Sequence, residues 1–436
     1  MGQQAPLRIC LAQLELAVGD FKGNQRRIIA ALDAAPDADV VLTPEFSACG
    51  YPPEDLVAYP EFIAAGERVL DAVAAHLRGR PGQHAVIGLP RAHEGRLYNV
   101  AAVVNGDGVV CEHRKNHLPN YGVFDEKRYF ADGEGVGTFE LRGHGVALAV
   151  CHDVWVEEFA ELVAARKPAW LLALNASPFH LGVQAEREAI TRRLSKLGCD
   201  VAYVNKVGGQ DEHVFDGGSH VARAGEIAAR LPLFAPEVAV FDPQAATVHE
   251  PPSATEQIAA ALQLGVRGYV EAAGAAKAFV GVSGGIDSAV ALALAARALG
   301  PEKVVAVLLP AAVTAAMSVE DGAKLAANLG VECLRIPIAG AVKAFEERLA
   351  EALGRAPAAA AAENLQARAR GVMLMALAND AGGLVLTTGN KSEMATGFAT
   401  LYGDMAGAFD VLKDIAKGQV YELAAWLNRE QEVIPA

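Results

Sequence analysis

Short apolar runs alternate with amphipathic stretches through the first half of the chain. Leu7 to Leu14 is an apolar run bounded by polar residues, and Asn24 to Ala35 has helical periodicity. Brief β-rich runs predict further strands at Ala38–Thr43, Ala85–Leu89, Val100–Val104, Gly145–Val150, Trp170–Leu174 and Val201–Val204. Strands separated by helices predict an α/β layered fold, in which reactive side chains follow the ends of strands.

The alternation breaks once and then resumes. Phe241 to Thr255 contains three Pro and has no periodicity, which predicts a linker. The elements predicted beyond it are a helix at Glu256–Gly274, a strand at Lys277–Val282, a helix at Ser288–Leu299, and strands at Val304–Leu309 and Gly383–Thr387. The Ala-rich stretch Ala356–Ala362 is interpreted as a loop. We therefore expect two domains, residues 4–245 and 257–436, joined by a linker at 246–256.

Composition narrows the class of protein. The chain has 436 residues, of which 52% are hydrophobic and 21% charged, so it is long and apolar enough for two folded cores. Its 38 Lys and Arg against 52 Asp and Glu give a net charge of −14, which argues against a nucleic-acid partner. Charges interrupt every long apolar stretch, so no membrane span is predicted.

The first residues of the chain and the spacing of its cysteines bear on the cellular compartment. The first 20 residues lack the basic start and apolar core of a signal peptide. The six Cys are scattered without a CxxC pair, which predicts neither a disulfide framework nor a zinc module. We expect a cytoplasmic protein.

Three segments place a reactive side chain at or near the end of a short strand: LTPEFSACGYPPEDL around Glu45, HRKNHLPNYGVFDEKRYF around Lys115, and VALAVCHDVW around Cys151. A thiol needs a base to become a nucleophile, a carboxylate can serve as that base, and an ammonium can stabilise an oxyanion. Taken singly, each has a plainer interpretation, since a lone Cys is usually a small buried hydrophobe and a lone Glu or Lys is usually solvated.

Together, these segments resemble the nitrilase (carbon–nitrogen hydrolase) superfamily, most closely its glutamine-amidase branch, over about Leu7 to Phe241. The resemblance implies an α-β-β-α sandwich in which Glu45 is the general base and Lys115 stabilises the oxyanion. Cys151 would attack the amide of L-glutamine, forming a thioester and releasing ammonia that a second reaction can use.

The same resemblance implies supporting residues. Tyr121 and Ser177 match glutamine-binding positions, and Glu126 would assist proton transfer. For Tyr121 and Ser177, a plain turn after a strand is an equally good interpretation.

The chain also departs from this branch at several positions. Val183 stands where a basic residue usually helps to hold the substrate, and His152 stands where Glu is usual. Lys206 and His213 replace apolar residues. Position 183 therefore lacks the basic side chain that usually helps to hold glutamine in this branch.

A second constellation lies in FVGVSGGIDSAVALALAARALG, a predicted strand, loop and helix. Its glycines let backbone N–H groups approach an anion, and the positive end of the helix favours phosphate. No Gly-Lys-Ser/Thr follows, so this is not a Walker A loop. Asp287 would repel a phosphate unless a cation lies between them, which suggests Mg²⁺. A plain Gly-rich turn is the alternative interpretation.

The string resembles the ATP pyrophosphatase family, which has a doubly wound parallel sheet and cleaves ATP to AMP and pyrophosphate. The loop residues that this resemblance assigns to ATP are Gly281, Val282, Ser283, Gly284, Gly285, Ile286, Asp287 and Ser288. Several synthetases share such a loop, so it does not identify the substrate.

Two later segments, ENLQARARG and LTTGNKSEMATGFATLYGDMAG, are similar to NAD synthetase. The similarity implies that Thr388 and Lys417 bind ATP, and that Asn364, Arg368 and Glu393 bind deamido-NAD⁺. Asp287 and Glu393 would hold the metal. Arg368 and Lys417 are equally well interpreted as solvated helix charges.

The order, amidase then synthetase, resembles glutamine-dependent NAD⁺ synthetases. It implies that ATP and Mg²⁺ adenylate deamido-NAD⁺ and that ammonia displaces AMP, on a path sheltered from water. We expect at least a homodimer through the synthetase domain. Since relatives continue beyond the position of Ala436, we also expect an incomplete synthetase site.

Two other functions remain open. One is a glutamine amidase fused to an ATP pyrophosphatase that acts on another carboxylate, such as aspartate. The other is a non-catalytic, nucleotide-binding relative, which Val183 and the Ala-rich segments favour and the intact motifs oppose.

Overall fold

The chain divides into two compact units whose boundary falls between Pro252 and Ser253. The computed structural model describes residues 5–435. Gln4 and Ala436, the outer bounds of the two predicted domains, lie outside the described residues. Within the predicted linker, a helix already begins at Ala254, where Ser253 caps it by accepting from the Glu256 N–H.

The first unit contains most of the strands. They are β1 (Ile9–Gln13), β2 (Val40–Leu42), β3 (His84–His93), β4 (Arg96–Asn105), β5 (Gly108–Arg114), β6 (Thr138–Leu141), β7 (His144–Val150), β8 (Trp170–Asn175), β9 (Asp200–Asn205), β10 (Val207–Gln210), β11 (His213–Asp216), β12 (His220–Arg223), β13 (Glu226–Arg230) and β14 (Glu237–Val240). Its helices are α1 (Phe21–Ala34), α2 (Pro60–Leu77), α3 (Glu157–Arg166) and α4 (Val183–Ser195).

Among the described residues, these strands form two six-stranded sheets and the small hairpin β10–β11. The sheet orders are β14-β1-β2-β3-β4-β5 and β13-β12-β9-β8-β7-β6. Their inner faces pack together through residues such as Leu42 and Leu148, while α1 and α2 cover one outer face and α3 and α4 the other. The predicted α-β-β-α sandwich is confirmed. Because the central strands are buried on both faces, they are continuous apolar runs.

The second unit has a single sheet. Its strands are β15 (Ala278–Val282), β16 (Val304–Leu308), β17 (Glu332–Arg335), β18 (Leu384–Thr387) and β19 (Phe409–Asp410). Its helices are α5 (Ala254–Ala272), α6 (Ile286–Leu299), α7 (Ala316–Leu329), α8 (Ala339–Leu353), α9 (Ala359–Asp380), α10 (Lys391–Thr396) and α11 (Lys417–Leu427).

All strand pairs of this sheet are parallel, in the order β17-β16-β15-β18-β19. Helices α5, α6, α7 and α11 pack on one face, and α8 and α9 pack on the other. The predicted doubly wound sheet is confirmed. The strand order reverses between β15 and β18, and this is the edge at which such folds bind their ligands.

One local prediction was wrong. Ala359 to Ala362 is not a loop but the first turn of α9. Alanine has the highest helix propensity, and no Gly or Pro interrupts the run once Pro357 has been passed.

Among residues 5–435, no helix combines the length and the apolar character that crossing a bilayer requires.

Candidate functional site

The thiol of Cys151 lies at a sharp turn. Cys151 directly follows β7, and its φ of +44° is in the left-handed region that non-glycine residues rarely adopt. Its side chain is buried. The turn therefore holds the sulfur at the end of the strand, next to groups from other segments.

Lys115, just beyond β5, joins two carboxylates in the first unit. Its Nζ donates at 2.8 Å to Glu45 Oε1 and at 2.8 Å to both oxygens of Glu126. Glu45 Oε1 also accepts from Asn99 Nδ2 at 2.7 Å, and Oε2 accepts from the Ala176 N–H at 3.1 Å. Burial opposes the charge on Lys115, but the two carboxylates outweigh it and raise its pKa. The lysine is therefore a fixed ammonium.

The same surroundings keep the Cys151 thiol protonated at rest. Burial raises its pKa well above the ordinary value and Glu45 adds to this effect, while Lys115 acts in the opposite direction. A thiol of this kind becomes a nucleophile only when a base removes its proton during attack. Glu45 is a carboxylate placed to act as that base.

Asp153 is a positioning residue that sequence reasoning missed. Its Oδ2 accepts from the Val150 N–H at 3.0 Å and from His113 Nε2 at 2.8 Å. Its Oδ1 accepts from the N–H groups of Asn116 at 2.9 Å and His117 at 3.0 Å. One buried carboxylate thus links the turn of the nucleophile to the segment that carries Lys115. The signal available was its place two residues after the nucleophile.

Of the two predicted glutamine-binding residues, Tyr121 is exposed and Ser177 is buried. Ser177 Oγ accepts from Arg187 Nε at 3.1 Å, and the Arg187 guanidinium also bonds to both oxygens of Asp216, at 2.8 and 3.0 Å. Val183 is buried at the start of α4, one turn before Arg187. Sequence reasoning missed Arg187, which holds Ser177 in place.

Lys206 is a fully buried lysine beside this site. Its Nζ donates at 3.2 Å to the carbonyl oxygen of Tyr51 and lies 4.3 Å from the ring centre of Phe215. Burial lowers its pKa to about 7, although Glu15 and Asp211 act in the opposite direction. The folded protein therefore disfavours the ammonium form of Lys206.

A pH-dependent stability follows from Lys206. Folding lowers the pKa of Lys206. The folded protein is therefore most stable above the pKa of lysine in the unfolded chain, and it loses stability as pH falls from there towards 7. We expect the stability advantage of Lys206→Met over the parent to grow by about 1.4 kcal/mol for each unit that pH falls between 10 and 7. Urea unfolding at several pH values measures it.

The matched control for this experiment is Lys22→Met, at an exposed lysine of α1. This variant should follow the parent at every pH. Parallel curves for Lys206→Met and the parent would show that Lys206 is charged in the folded protein.

In the second unit, the loop after β15 is shaped to receive an anion. Gly284 has a φ of +81°, and a Cβ there would lie 2.7 Å from Ser318 Cα, so only glycine fits. Helix α6 follows at Ile286, and Gly285 provides no side-chain cap. The first N–H groups of α6 are therefore free to meet a phosphate.

A cavity of about 400 Å³ opens at the point where the strand order reverses. The predicted site residues that line it are Gly281, Val282, Ser283, Asp287, Ser288, Thr388 and Glu393. Gly284 and Gly285 complete the same loop, and Ile286 begins α6.

Asp287 is the centre of a small polar network. Lys417 Nζ forms an ion pair with its Oδ2, and Asn390 Nδ2 donates to its Oδ1 at 3.0 Å. Asn390 Oδ1 accepts from the Glu393 N–H at 3.0 Å. The structure thus brings Lys417, Asp287 and Glu393 together through Asn390, which sequence reasoning missed.

Two predicted residues lie away from the cavity wall, on α9. Asn364 Oδ1 accepts from Thr400 Oγ1 at 2.9 Å, and Arg368 Nε donates to the Leu401 carbonyl at 3.2 Å. Arg370, from the same segment, lines the cavity instead. Its Nε donates to the carbonyl of Leu309 at 3.2 Å, and burial lowers its pKa.

In the described part of the chain, no group of three or more His, Cys, Asp and Glu side chains is arranged to hold a metal. The predicted pair, Asp287 and Glu393, lines the cavity together with Asp404 and Asp410. Such a pair fits Mg²⁺, which proteins often hold by one or two carboxylates together with substrate phosphates.

Comparisons with known proteins agree with both halves of the chain. The sequence model of the carbon–nitrogen hydrolase family matches residues 8–251, and that of the NAD synthase family matches residues 258–436. The glutamine-dependent NAD(+) synthetase of Thermotoga maritima is 40% identical in an alignment that covers 98% of this chain and 82% of the relative. That of Acinetobacter baylyi is also 40% identical, with 98% and 81% covered.

A solved structure of a relative is also similar to this chain in fold. The glutamine-dependent NAD⁺ synthetase of Acinetobacter baumannii, in complex with ADP, superposes with a TM-score of 0.93 at 39% identity. The match covers 98% of this chain and 84% of that one. With two family models in this order and relatives matched along nearly its whole length, the chain belongs to the glutamine-dependent NAD(+) synthetases, ligases that form a carbon–nitrogen bond.

Proposed function

We propose that Cys151, Glu45 and Lys115 release ammonia from L-glutamine, and that the cavity of the second unit uses it to convert deamido-NAD⁺ to NAD⁺ with ATP. The observation that carries this proposal is Lys115 fixed between Glu45 and Glu126 beside a protonated thiol. A base, a cation and a nucleophile are the groups that cleavage of an amide requires.

The amidase reaction follows from these positions. Glu45 takes the proton of Cys151 as the sulfur attacks the amide carbon, and the ammonium of Lys115 stabilises the oxyanion that forms. The proton passes to the departing nitrogen, which leaves as ammonia. Water, deprotonated by Glu45, then attacks the thioester carbon, the C–S bond breaks to release glutamate, and the Cys151 sulfur takes the proton back from Glu45. Glu126 holds Lys115 in place throughout.

The synthetase reaction uses the loop after β15. The N–H groups at the start of α6 and the hydroxyl of Ser283 bind the phosphates of ATP, with Thr388 on the adjoining strand end and Lys417 as a cation. The carboxylate of deamido-NAD⁺ attacks the α-phosphorus and pyrophosphate leaves. Ammonia then attacks the acyl adenylate and AMP leaves.

Asp287 and Glu393 are the residues that would hold Mg²⁺. The ion, when bound, neutralises charge on the phosphates, and this accounts for two carboxylates beside a phosphate loop. Lys417 and Asn390 hold Asp287 in position. We place the reaction in the cytoplasm, where thiols stay reduced.

We propose that Asn364 and Arg368 bind deamido-NAD⁺. We also propose that a second copy of the chain packs against this region. Both residues lie on α9, whose exposed face carries Val372 and Met375. Helix α8, which packs in the same core cluster as α9, also exposes the apolar side chain of Phe345. Burial of such a surface in a homodimer or larger homo-oligomer would remove it from water. Light scattering of the purified chain measures its oligomeric state.

The proposed reaction is tested with one set of assays. Purified protein receives ATP, Mg²⁺ and deamido-NAD⁺, with either glutamine or an ammonium salt, and NAD⁺ and pyrophosphate are measured. Both nitrogen sources should yield NAD⁺. Amidation of aspartate instead would indicate a different carboxylate substrate, and absence of pyrophosphate with either acceptor would indicate a nucleotide-binding protein without catalysis.

A further inference from the structure

Lys206 is anchored to the amidase site through its main chain. Its N–H donates to the Asn175 carbonyl at 3.1 Å, and its own carbonyl accepts from the Gly217 N–H at 3.0 Å. The Asn175 carbonyl also accepts from the N–H of Glu45 at 3.3 Å. The same carbonyl oxygen therefore ties the main chain of Lys206 to that of the proposed base.

The side chain of Lys206 supports Tyr51 in two ways. Its Nζ donates to the Tyr51 carbonyl and lies over the ring of Phe215. The Tyr51 ring meets the Phe215 ring edge to face, with centroids 6.0 Å apart, and stacks on Phe46 at 5.8 Å. All three aromatic side chains are buried. One amine thus contacts both the main chain of Tyr51 and a ring against which Tyr51 packs.

Tyr51 in turn contacts the carboxylate that holds Lys115. Its hydroxyl donates to Glu126 Oε1 at 3.2 Å, and the same oxygen accepts from Lys115 Nζ. Burial raises the pKa of Glu126 and Glu45 adds to this effect, whereas Lys115 and the hydrogen bond from Tyr51 lower it. The Tyr51 hydroxyl therefore favours an ionised Glu126, and an ionised Glu126 keeps Lys115 an ammonium.

Stability does not explain a lysine at position 206. Burial opposes the charge of an amine there, and an unbranched apolar side chain would fill the same space without that cost. We propose that Lys206 is a positioning residue of the amidase, which holds Tyr51 so that its hydroxyl reaches Glu126. This inference rests on the proposed function of the amidase site.

The test measures glutamine hydrolysis by Lys206→Met, by Tyr51→Phe and by the double variant. Tyr51→Phe removes a hydrogen bond to a carboxylate and should lower kcat/KM for glutamine about ten- to hundredfold. Lys206→Met loosens the same bond and should lower kcat/KM about three- to tenfold. The double variant should be no slower than Tyr51→Phe, because Lys206 acts through the hydroxyl that is already missing. A lysine with a purely structural role would instead add its loss to that of Tyr51→Phe.

The pH profile gives a second readout. Without the hydrogen bond from Tyr51, Glu126 takes up a proton more readily, so the acid limb of kcat/KM should move to higher pH in both single variants. Both variants retain the other charged or titratable groups that face Lys206 and Glu126, namely Glu15, Asp211, His213, Lys115 and Glu45. A shift that is shared with Tyr51→Phe, which keeps Lys206, belongs to Glu126 and not to His213.

Lys22→Met is again the matched control, and it should hydrolyse glutamine like the parent. Urea unfolding at pH 7 should show Lys206→Met to be at least as stable as the parent, so that slower hydrolysis does not report unfolding. NAD⁺ formation from ammonium salts should be unchanged in every variant. Lys206→Leu provides a second apolar replacement with a different shape.

Two results would overturn the inference. One is an unchanged kcat/KM for glutamine in Lys206→Met and Lys206→Leu, and the other is a full further loss when Lys206→Met is added to Tyr51→Phe. Failure of the proposed function is a separate result. It would appear as glutamine hydrolysis that survives Cys151→Ala, whatever Lys206 does.

Discussion

Replacing Cys151 by Ala should abolish NAD⁺ formation from glutamine and spare its formation from ammonium salts. The sulfur is needed only to break the glutamine amide, because it forms the covalent intermediate. Loss of a covalent nucleophile costs about 10⁴- to 10⁶-fold in rate in comparable hydrolases. The second unit needs only ammonia. One purified variant, assayed with the two nitrogen sources, gives both numbers.

Cys111→Ala is the control, since Cys111 lies on β5 outside the amidase site and is half-buried. It should retain both activities. Normal use of glutamine by Cys151→Ala would refute the assignment of the nucleophile. If the variant stays folded but loses both activities, synthesis depends on the state of the amidase site and not only on its ammonia.

Asp287→Asn should remove NAD⁺ synthesis with either nitrogen source. The substitution takes a negative charge from the phosphate loop and leaves Lys417 without its partner. Loss of one preorganised charged contact typically costs on the order of 10²- to 10³-fold in rate. Glutamine hydrolysis should remain measurable, because the amidase residues belong to the other unit. Pyrophosphate release and glutamate formation are measured in the same reaction.

Asp380→Asn, at the exposed end of α9, is the matched control for charge. It should make pyrophosphate at the rate of the parent. If Asp287→Asn also releases pyrophosphate at the rate of the parent, Asp287 has no part in ATP turnover. The assignment of Asp287 to Mg²⁺ would then be wrong as well. A titration with Mg²⁺ adds a second readout, since the variant should need more of the ion for half-maximal activity.

Much of the fold was predictable because its central strands are buried on both faces. Trp170–Leu174 was predicted from its apolar run, and β8 ends one residue later. The hairpin of β10 and β11 was missed, since its residues are Gly-rich or polar and lack a periodic pattern. The first turn of α9 was missed because a run of alanines carries no periodicity.

The chemistry of the sites was predictable only in part. Glu45, Lys115 and Cys151 were singled out in the sequence because each lies at or near the end of a strand within a recognisable segment. Asp153 and Arg187 were not, because their partners lie tens of residues away in sequence, as in the 40 residues between His113 and Asp153. A contact that exists only after folding leaves no local pattern to detect.

The four bonds of Asp153 have a consequence for assembly. This carboxylate joins the turn after β7 to a segment 36 to 40 residues earlier, so neither part of the amidase site can be completed alone. A nascent chain that has not yet placed both segments therefore holds a cysteine without its base and its cation. Amidase activity therefore requires the tertiary structure of the first unit, so its appearance reports that this unit has folded.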